Sequence, residues 1–221
     1  MASALGSLAP MEAPFTKEVE NYFRICYLLI DCGTKALRST FERYFAPASL
    51  QGFLARPSVY STLHQLRGKS LSDVLWSKLY PTPSSSVTLE DLDFGLLMLL
   101  LMNTSGLTPP ATGWHSLPNP SDQSVEANIA RLKYYRNWLY GHTSHSSMDD
   151  PTFNAHWKDV SSALMGLGVD AHTIFKLRSE SLNSVEQDCK RLKEEFRKED
   201  DNIRNDISAV EGRKKCYQAS C

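Results

Sequence analysis

LDFGLLMLLLM, residues 92–102, is the most apolar run of the chain, and its reading decides between a fold built in a membrane and one built around a soluble core. A helix crossing a bilayer needs about 20 apolar residues, and this run is too short. Asp91 and Asp93 stand at its start, where a lipid core would reject them. Thr88 reads as the N-cap, with the acids in the first turn where the helix dipole favours them. The stretch is therefore expected to be a buried helix in a soluble bundle.

Upstream of it, Val19, Tyr22, Phe23, Cys26, Leu29, Ile30, Gly33 and Leu37 recur at helical spacing from Thr16, with Pro47 as the stop after Phe45. Gly33 inside that helix costs about 1 kcal/mol relative to alanine, which points to close packing on a neighbour. Residues 1–14 are small and proline-containing, and are expected to be disordered. Shorter helices are predicted near 48–55 and 58–66, and over SLSDVLWSKLY (70–80), capped by Ser70 and stopped by Pro81.

Downstream, TSGLTPPATGWHSLPNPSD (104–122) is a long connection expected to be structured by its own aromatic, Trp114. A helix then starts near Ser121 or Ser124, with Val125, Ile129, Leu132 and Leu139 as its inner stripe. The next begins at Asp149 or Asp150, with Pro151 at its first position, and buries Phe153, Trp157, Val160, Leu164 and Leu167 before Gly168 ends it. No segment alternates with period two. The fold class is all-α, a bundle of five or more helices over 16–177.

From about 178 the composition changes to a charged, proline-free tail running to 215. Leu182, Val185, Cys189, Leu192, Phe196, Ile203 and Val210 fall on one heptad frame, the pattern of a short coiled coil. A single helix packed on the bundle is the other reading. Acids and bases balance over Glu186–Lys215, so the tail is not a nucleic-acid arm.

The net charge of −1 excludes a polycation that coats nucleic acid or anionic lipid in bulk, so any RNA binding must come from a local patch. Five cysteines without a C-x-x-C pair argue for a reducing compartment and against a cysteine zinc site. No secretory signal is visible, and a cytoplasmic, membrane-free protein is expected. P-loop, dinucleotide and nucleophile-elbow patterns are missing from the sequence.

The chemistry concentrates in RLKYYRNWLYGH (131–142). In a continuous helix Arg136 and His142 would be turned about 240° apart and separated by about 9 Å. A left-handed Gly141 ending the helix would let His142 fold back beside Arg136 and Asn137. Arg136 offers a fork of donors to phosphate oxygens, His142 a proton near neutral pH, and Asn137 a group to orient the histidine or hold the phosphate. Arg131 and Lys133 add positive charge. Tyr140, with Tyr134, Tyr135 and Trp138, offers rings for base stacking, and His145 completes the RNA-contact set. Against this, Trp138 and Leu139 suit a core, and Arg136 could pair with Asp149 or Asp150. His142 and His145 have no carboxylate or thiol partner at ligand spacing, so neither metal nor cofactor is expected. His115, His156 and His172 read as isolated surface or cap residues.

Over residues 88–168 the sequence resembles the HEPN domain of the DAZ-interacting zinc-finger ubiquitin ligase type (DZIP3-like). An apolar helix ending in Asn103 leads into Pro-Pro and Gly-Trp, then N-I-x-R-L-K-x-x-R-N, Gly-His, and a helix opening with Phe and Trp. The resemblance implies a helical bundle that dimerises. Many HEPN proteins are metal-independent endoribonucleases with an R-x4-6-H motif, which Arg136, Asn137 and His142 match. There the ribose 2′-hydroxyl attacks the adjacent phosphate, leaving a 2′,3′-cyclic phosphate. One chain supplies a single motif histidine, so a homodimer would bring acid and base together. The chain lacks the cysteine–histidine series of a RING module, so ligase activity is not implied. The alternative is a non-catalytic scaffold that dimerises or recruits a protein partner through its tail.

Overall fold

The computed structural model describes residues 16–45, 49–82, 85–141 and 147–179, with only the backbone given at Tyr140 and Gly141. Among the described residues the regular structure is helical, with one isolated β-bridge, Arg67 to Leu71. The all-α bundle expected from periodicity is what the chain forms. The 1–14 segment and the heptad tail beyond 179 lie outside the described residues.

Helix α1 spans Lys17–Tyr27, and the Thr16 side chain accepts a hydrogen bond from Val19 N at its start. A π turn at Leu28–Cys32 joins it to α2, Gly33–Phe45. The long apolar series is thus one helix interrupted by a wider turn, which buries Leu28, Leu29 and Cys32. Gly33 has the packing role its cost implied: a β-carbon there would lie 2.9 Å from Cε2 of Phe94.

Helices α3 (Leu50–Leu54), α4 (Pro57–Leu66) and α5 (Asp73–Leu79) follow. The cap of α5 is Ser72, whose hydroxyl accepts from Leu75 N, and not Ser70 as expected. Ser70 sits in the tight turn after α4, where Gly68 takes a φ of 73° and bonds Leu71 O. Fully buried Leu71 fixes that turn and delays the helix.

The apolar run also starts later than expected. Thr88 and Asp91 form a capping box around a single 3-10 turn, Leu89–Asp91, and α6 proper is Phe94–Thr104, capped by the Asp93 side chain on Leu96 N. The break lets Leu92 and Phe94 both face inward. Helix α6 buries Leu96, Leu97, Met98, Leu100 and Leu101 against α2 and α4. No described helix is long and apolar enough to cross a membrane. Trp114, in the connection that follows, packs on the core.

Helix α7 (Val125–Gly141) starts at Ser124, whose hydroxyl accepts from Ala127 N. Asp149 caps α8 (Asp150–Gly166) by accepting from Thr152 N, so Pro151 stands second in the helix and not first. The stripe Phe153, Trp157, Val160, Leu164 and Leu167 is buried, Trp157 among it. Gly168 ends α8 with φ 99°; its N–H bonds Met165 O and that of Val169 bonds Leu164 O, the pairing of a left-handed helix stop. Helix α9 (Ala171–Ser179) returns along the bundle, held by Arg24 Nη1 donating to Leu177 O at 2.9 Å.

Candidate functional site

Helices α7 and α8 are antiparallel, and their polar contacts keep one register. Asn128 lies against Gly166. Two turns further along α7, the Tyr135 hydroxyl donates to Asp159, and one turn later Trp138 packs on His156, with ring centroids 4.2 Å apart. The approach is closest at the first pair, where a β-carbon on residue 166 would fall 2.2 Å from Nδ2 of Asn128. Only glycine fits there.

This register sorts the motif residues by face. Ile129, Leu132, Tyr135 and Leu139 turn inward with Arg131, which is 7% exposed. Arg131 donates from Nη1 to Asn128 Oδ1 at 2.9 Å and from Nη2 to Asn119 O at 2.7 Å. Expected as an RNA contact, it is committed to tying the connection before α7 onto the helix. Tyr135, expected as a stacking ring, is buried. Burial first, and then its bond to Asp159, hold its phenol above the ordinary tyrosine range.

Lys133, Arg136 and Asn137 occupy the other face, at i, i+3 and i+4, so they form one stripe. Asn137 is exposed, and Lys133 and Arg136 are half-buried. Arg136 Nη1 donates to Asn137 Oδ1 at 3.4 Å. Lys133 Nζ is 3.4 Å from Nδ1 of His115, which reaches in from the preceding connection. Burial and then the Arg136 guanidinium push the Lys133 ammonium below the ordinary lysine range. The alternative pairing of Arg136 with the α8 acids finds both carboxylates engaged elsewhere: Asp149 caps α8, and Asp150 bonds Lys17 and Asn21.

Helix α7 runs through Gly141. Gly141 is therefore the last residue of the helix and not the left-handed stop after it that the sequence leads one to expect. His142, His145 and the Tyr140 side chain lie outside the described residues. The far end of that connection is anchored. Met148 N donates to Glu18 O at 2.9 Å, and buried Asn21 donates from Nδ2 to Met148 O at 3.2 Å and to Asp150 Oδ1 at 2.8 Å. Met148, six residues after His142, is therefore fixed on the first turns of α1.

Two residues of this neighbourhood were not anticipated. His156, read as an isolated surface residue, is half-buried between Trp138 and Tyr135. His115, read the same way, stands beside Lys133. Neither position is encoded locally; both follow from the register of the α7–α8 hairpin and the path of the connection before it.

The comparisons with known proteins agree with this architecture. Residues 47–190 match the model of the DZIP3/hRUL138-like HEPN family. The human E3 ubiquitin-protein ligase DZIP3 is 29% identical over 190 residues, covering 82% of this chain and 15% of that protein. Its mouse counterpart is 28% identical over 190 residues, with the same coverage. The chain thus spans only a small part of the length of the curated relatives it matches, and no solved structure matches it. The family match takes in α3 through α9, including the Lys133, Arg136 and Asn137 stripe and the hairpin that sets it. On that match, the chain belongs to the DZIP3/hRUL138-like HEPN family.

Proposed function

We propose that the chain acts on RNA through Arg136, Asn137 and His142, binding a phosphodiester and, when two chains supply two motif histidines, cleaving it without a metal. The observation that carries this reading is the stripe of half-buried Lys133 and Arg136 with exposed Asn137, in the last turns of α7 before the chain leaves for His142. Burial first, and then the neighbouring Arg136 guanidinium, depress the Lys133 ammonium, and an anion on the stripe would offset the repulsion between the two cations. Arg136 supplies the fork for the phosphate and Lys133 a point charge. Asn137 orients the phosphate or the histidine. His142 takes the proton of the 2′-hydroxyl as its oxygen attacks phosphorus, and the bond from phosphorus to the 5′-oxygen breaks. The motif histidine of the second chain protonates that oxygen, leaving a 2′,3′-cyclic phosphate and a 5′-hydroxyl. The local charge comes from Arg136 and Lys133, because Arg131 is used inside the fold.

The test is incubation of the purified chain with single-stranded and with structured RNA in EDTA, beside Arg136→Ala/His142→Ala. Cleavage should persist in EDTA, leave cyclic phosphate ends, and fall by about 10²–10⁴ in the variant, the range of one acid–base group. Loss of activity on chelation, or equal activity in the variant, removes the mechanism. Light scattering should give a dimer.

A second reading, a non-catalytic scaffold, is favoured by Phe175 on α9, which is 69% exposed. It stands seven residues before Leu182, so the apolar series at every seventh position (Phe175, Leu182, Cys189, Phe196, Ile203, Val210) begins on a described helix. If Phe175→Lys and Ile203→Lys abolish the dimer while RNA remains uncut by the wild type, the scaffold reading replaces the nuclease.

A further inference from the structure

Residues 56–80 carry Arg56, Arg67, Lys69 and Lys78 against a single acid, Asp73, in a chain whose net charge is −1. They fold as α4, a tight turn and α5, which bring four rings together. Tyr60 and His64, one turn apart on α4, stack with centroids 5.9 Å apart and planes at 29°. Trp76 of α5 meets both edge-on, at 5.6 and 5.8 Å. Tyr80 supports Tyr60 from the side at 5.4 Å, and its hydroxyl donates to Leu54 O at 3.0 Å.

The cluster is layered. Trp76 is buried and Tyr80 half-buried, so they form the base, whereas Tyr60 is 44% exposed and His64 is exposed as well. A core needs only the first two. Arg67 lies 5.0 Å over the Trp76 ring and is held there by its inner nitrogen, Nε, on Asp73 Oδ1 at 2.7 Å. Arg56, at the other end of α4, lies 5.2 Å over Phe53. The two arginines stand eleven positions apart, about 16 Å along the helix. That is room for roughly four to five bases at the ~3.4 Å rise of a stacked strand.

The geometry points to a single-stranded RNA docking face on α4–α5, with bases stacking on Tyr60 and His64 and phosphates taken by Arg56, Arg67 and Lys69. Exposed rings on a pinned aromatic base and a border of cations are the two components of sequence-tolerant single-strand binding. The positive border is what selects a nucleic acid, since a proline-rich peptide would need the rings alone. A duplex keeps its base faces stacked and could use only the charge. The choice of RNA rests on the function proposed above; the face itself is built from helices that do not include the α7 motif. It would hold the strand while α7 engages a phosphodiester.

The experiment is fluorescence anisotropy of the full chain with a labelled 12-nucleotide single strand of 2′-O-methyl RNA, which has no 2′-hydroxyl to attack. Tyr60→Ala/His64→Ala should raise Kd by about 10- to 100-fold, and Tyr60→Phe/His64→Phe should stay within about threefold of wild type. Lys69→Glu should weaken binding and lower the salt slope by about one. His64→Ala alone removes an exposed ring, so its loss of affinity is readable even if the double variant is unstable by circular dichroism. A duplex of the same length should bind at least about tenfold more weakly. Unchanged affinity in a folded Tyr60→Ala/His64→Ala protein, equal duplex binding, or a proline-rich peptide binding here in place of RNA would each overturn the proposal. If binding depends on Arg136 and His142 alone, this face falls while the α7 function stands. If the α4–α5 variants lose binding and Arg136→Ala/His142→Ala cleaves natural RNA normally, the reverse holds.

Discussion

The packing of α2 on α6 and of α7 on α8 both turn on one glycine, yet the two glycines meet different chemistry. Gly33 faces the edge of an apolar ring, Phe94, within a wall of leucines. Gly166 faces the carboxamide of Asn128, which is fully buried and held by Arg131 and by Gln123 O. An apolar wall can slide by tenths of an ångström and keep its contacts. A hydrogen-bonded amide cannot, because moving it breaks directional bonds inside a low-dielectric interior. The first helix pair is therefore expected to tolerate change, and the second to resist it and hold the α7 stripe to a fixed register.

Gly166→Ala is the sharpest way to break this contrast. The β-carbon overlaps Asn128, and the change should cost about 3 kcal/mol from overpacking and lost hydrogen bonds, lowering Tm by on the order of 10 °C. A Tm within a degree or two of wild type would mean that the hairpin relaxes as freely as the apolar wall. Arg131→Met comes next. It strands Asn128 Oδ1 and Asn119 O and should cost about 2 kcal/mol in urea unfolding, while RNA affinity of the folded protein stays unchanged. A selective loss of RNA binding with normal stability would make Arg131 part of the proposed RNA contact.

Gly33→Ala should cost only about 1 kcal/mol, since ring displacement is offset by the gain in helix propensity. If it destabilises more than Gly166→Ala, the comparison is inverted. The smallest effect concerns acid. Hydrogen bonds from Thr152 and from Asn21 hold the Asp149 and Asp150 carboxyls, respectively, below the ordinary carboxylate range. Their contribution is present above the unfolded value near 4 and is lost as pH falls through the lower folded value. Urea midpoints of Asp150→Asn and wild type should therefore differ at pH 6 and converge below about pH 3. A gap that persists at low pH would assign the effect to packing.

The apolar half was legible in the sequence because periodicity reports burial directly. The stripe on α8 and the close packing at Gly33 both followed from spacing and residue type. Helix starts with two candidate caps were not decided locally. Ser70 and Ser72, or Thr88 and Asp93, offer equivalent oxygens, and the choice falls to whichever start buries the adjacent leucine. The candidate site was half legible. Spacing put Arg136 and Asn137 on one turn, but it could not separate Arg131 from Lys133, two cations two residues apart. Their division into an inner and an outer role depends on Asn119, Asn128 and the facing helix, and none of those is visible in a local window. His156 is the same case, since its neighbours lie about 20 residues away across the hairpin.

The π turn at Leu28–Cys32 has a consequence for how chain length can vary. Such a turn holds one residue more than an α turn while the helix continues beyond it. Removing a residue elsewhere in α1 or α2 would rotate everything downstream by about 100° and carry Gly33 off Phe94. Removing one within 28–32 converts the wide turn to a normal one and leaves the two flanking faces aimed as before. Insertions and deletions of a single residue should therefore collect in this turn when sequences of the family are aligned, and α1 and α2 should each align without gaps on either side of it.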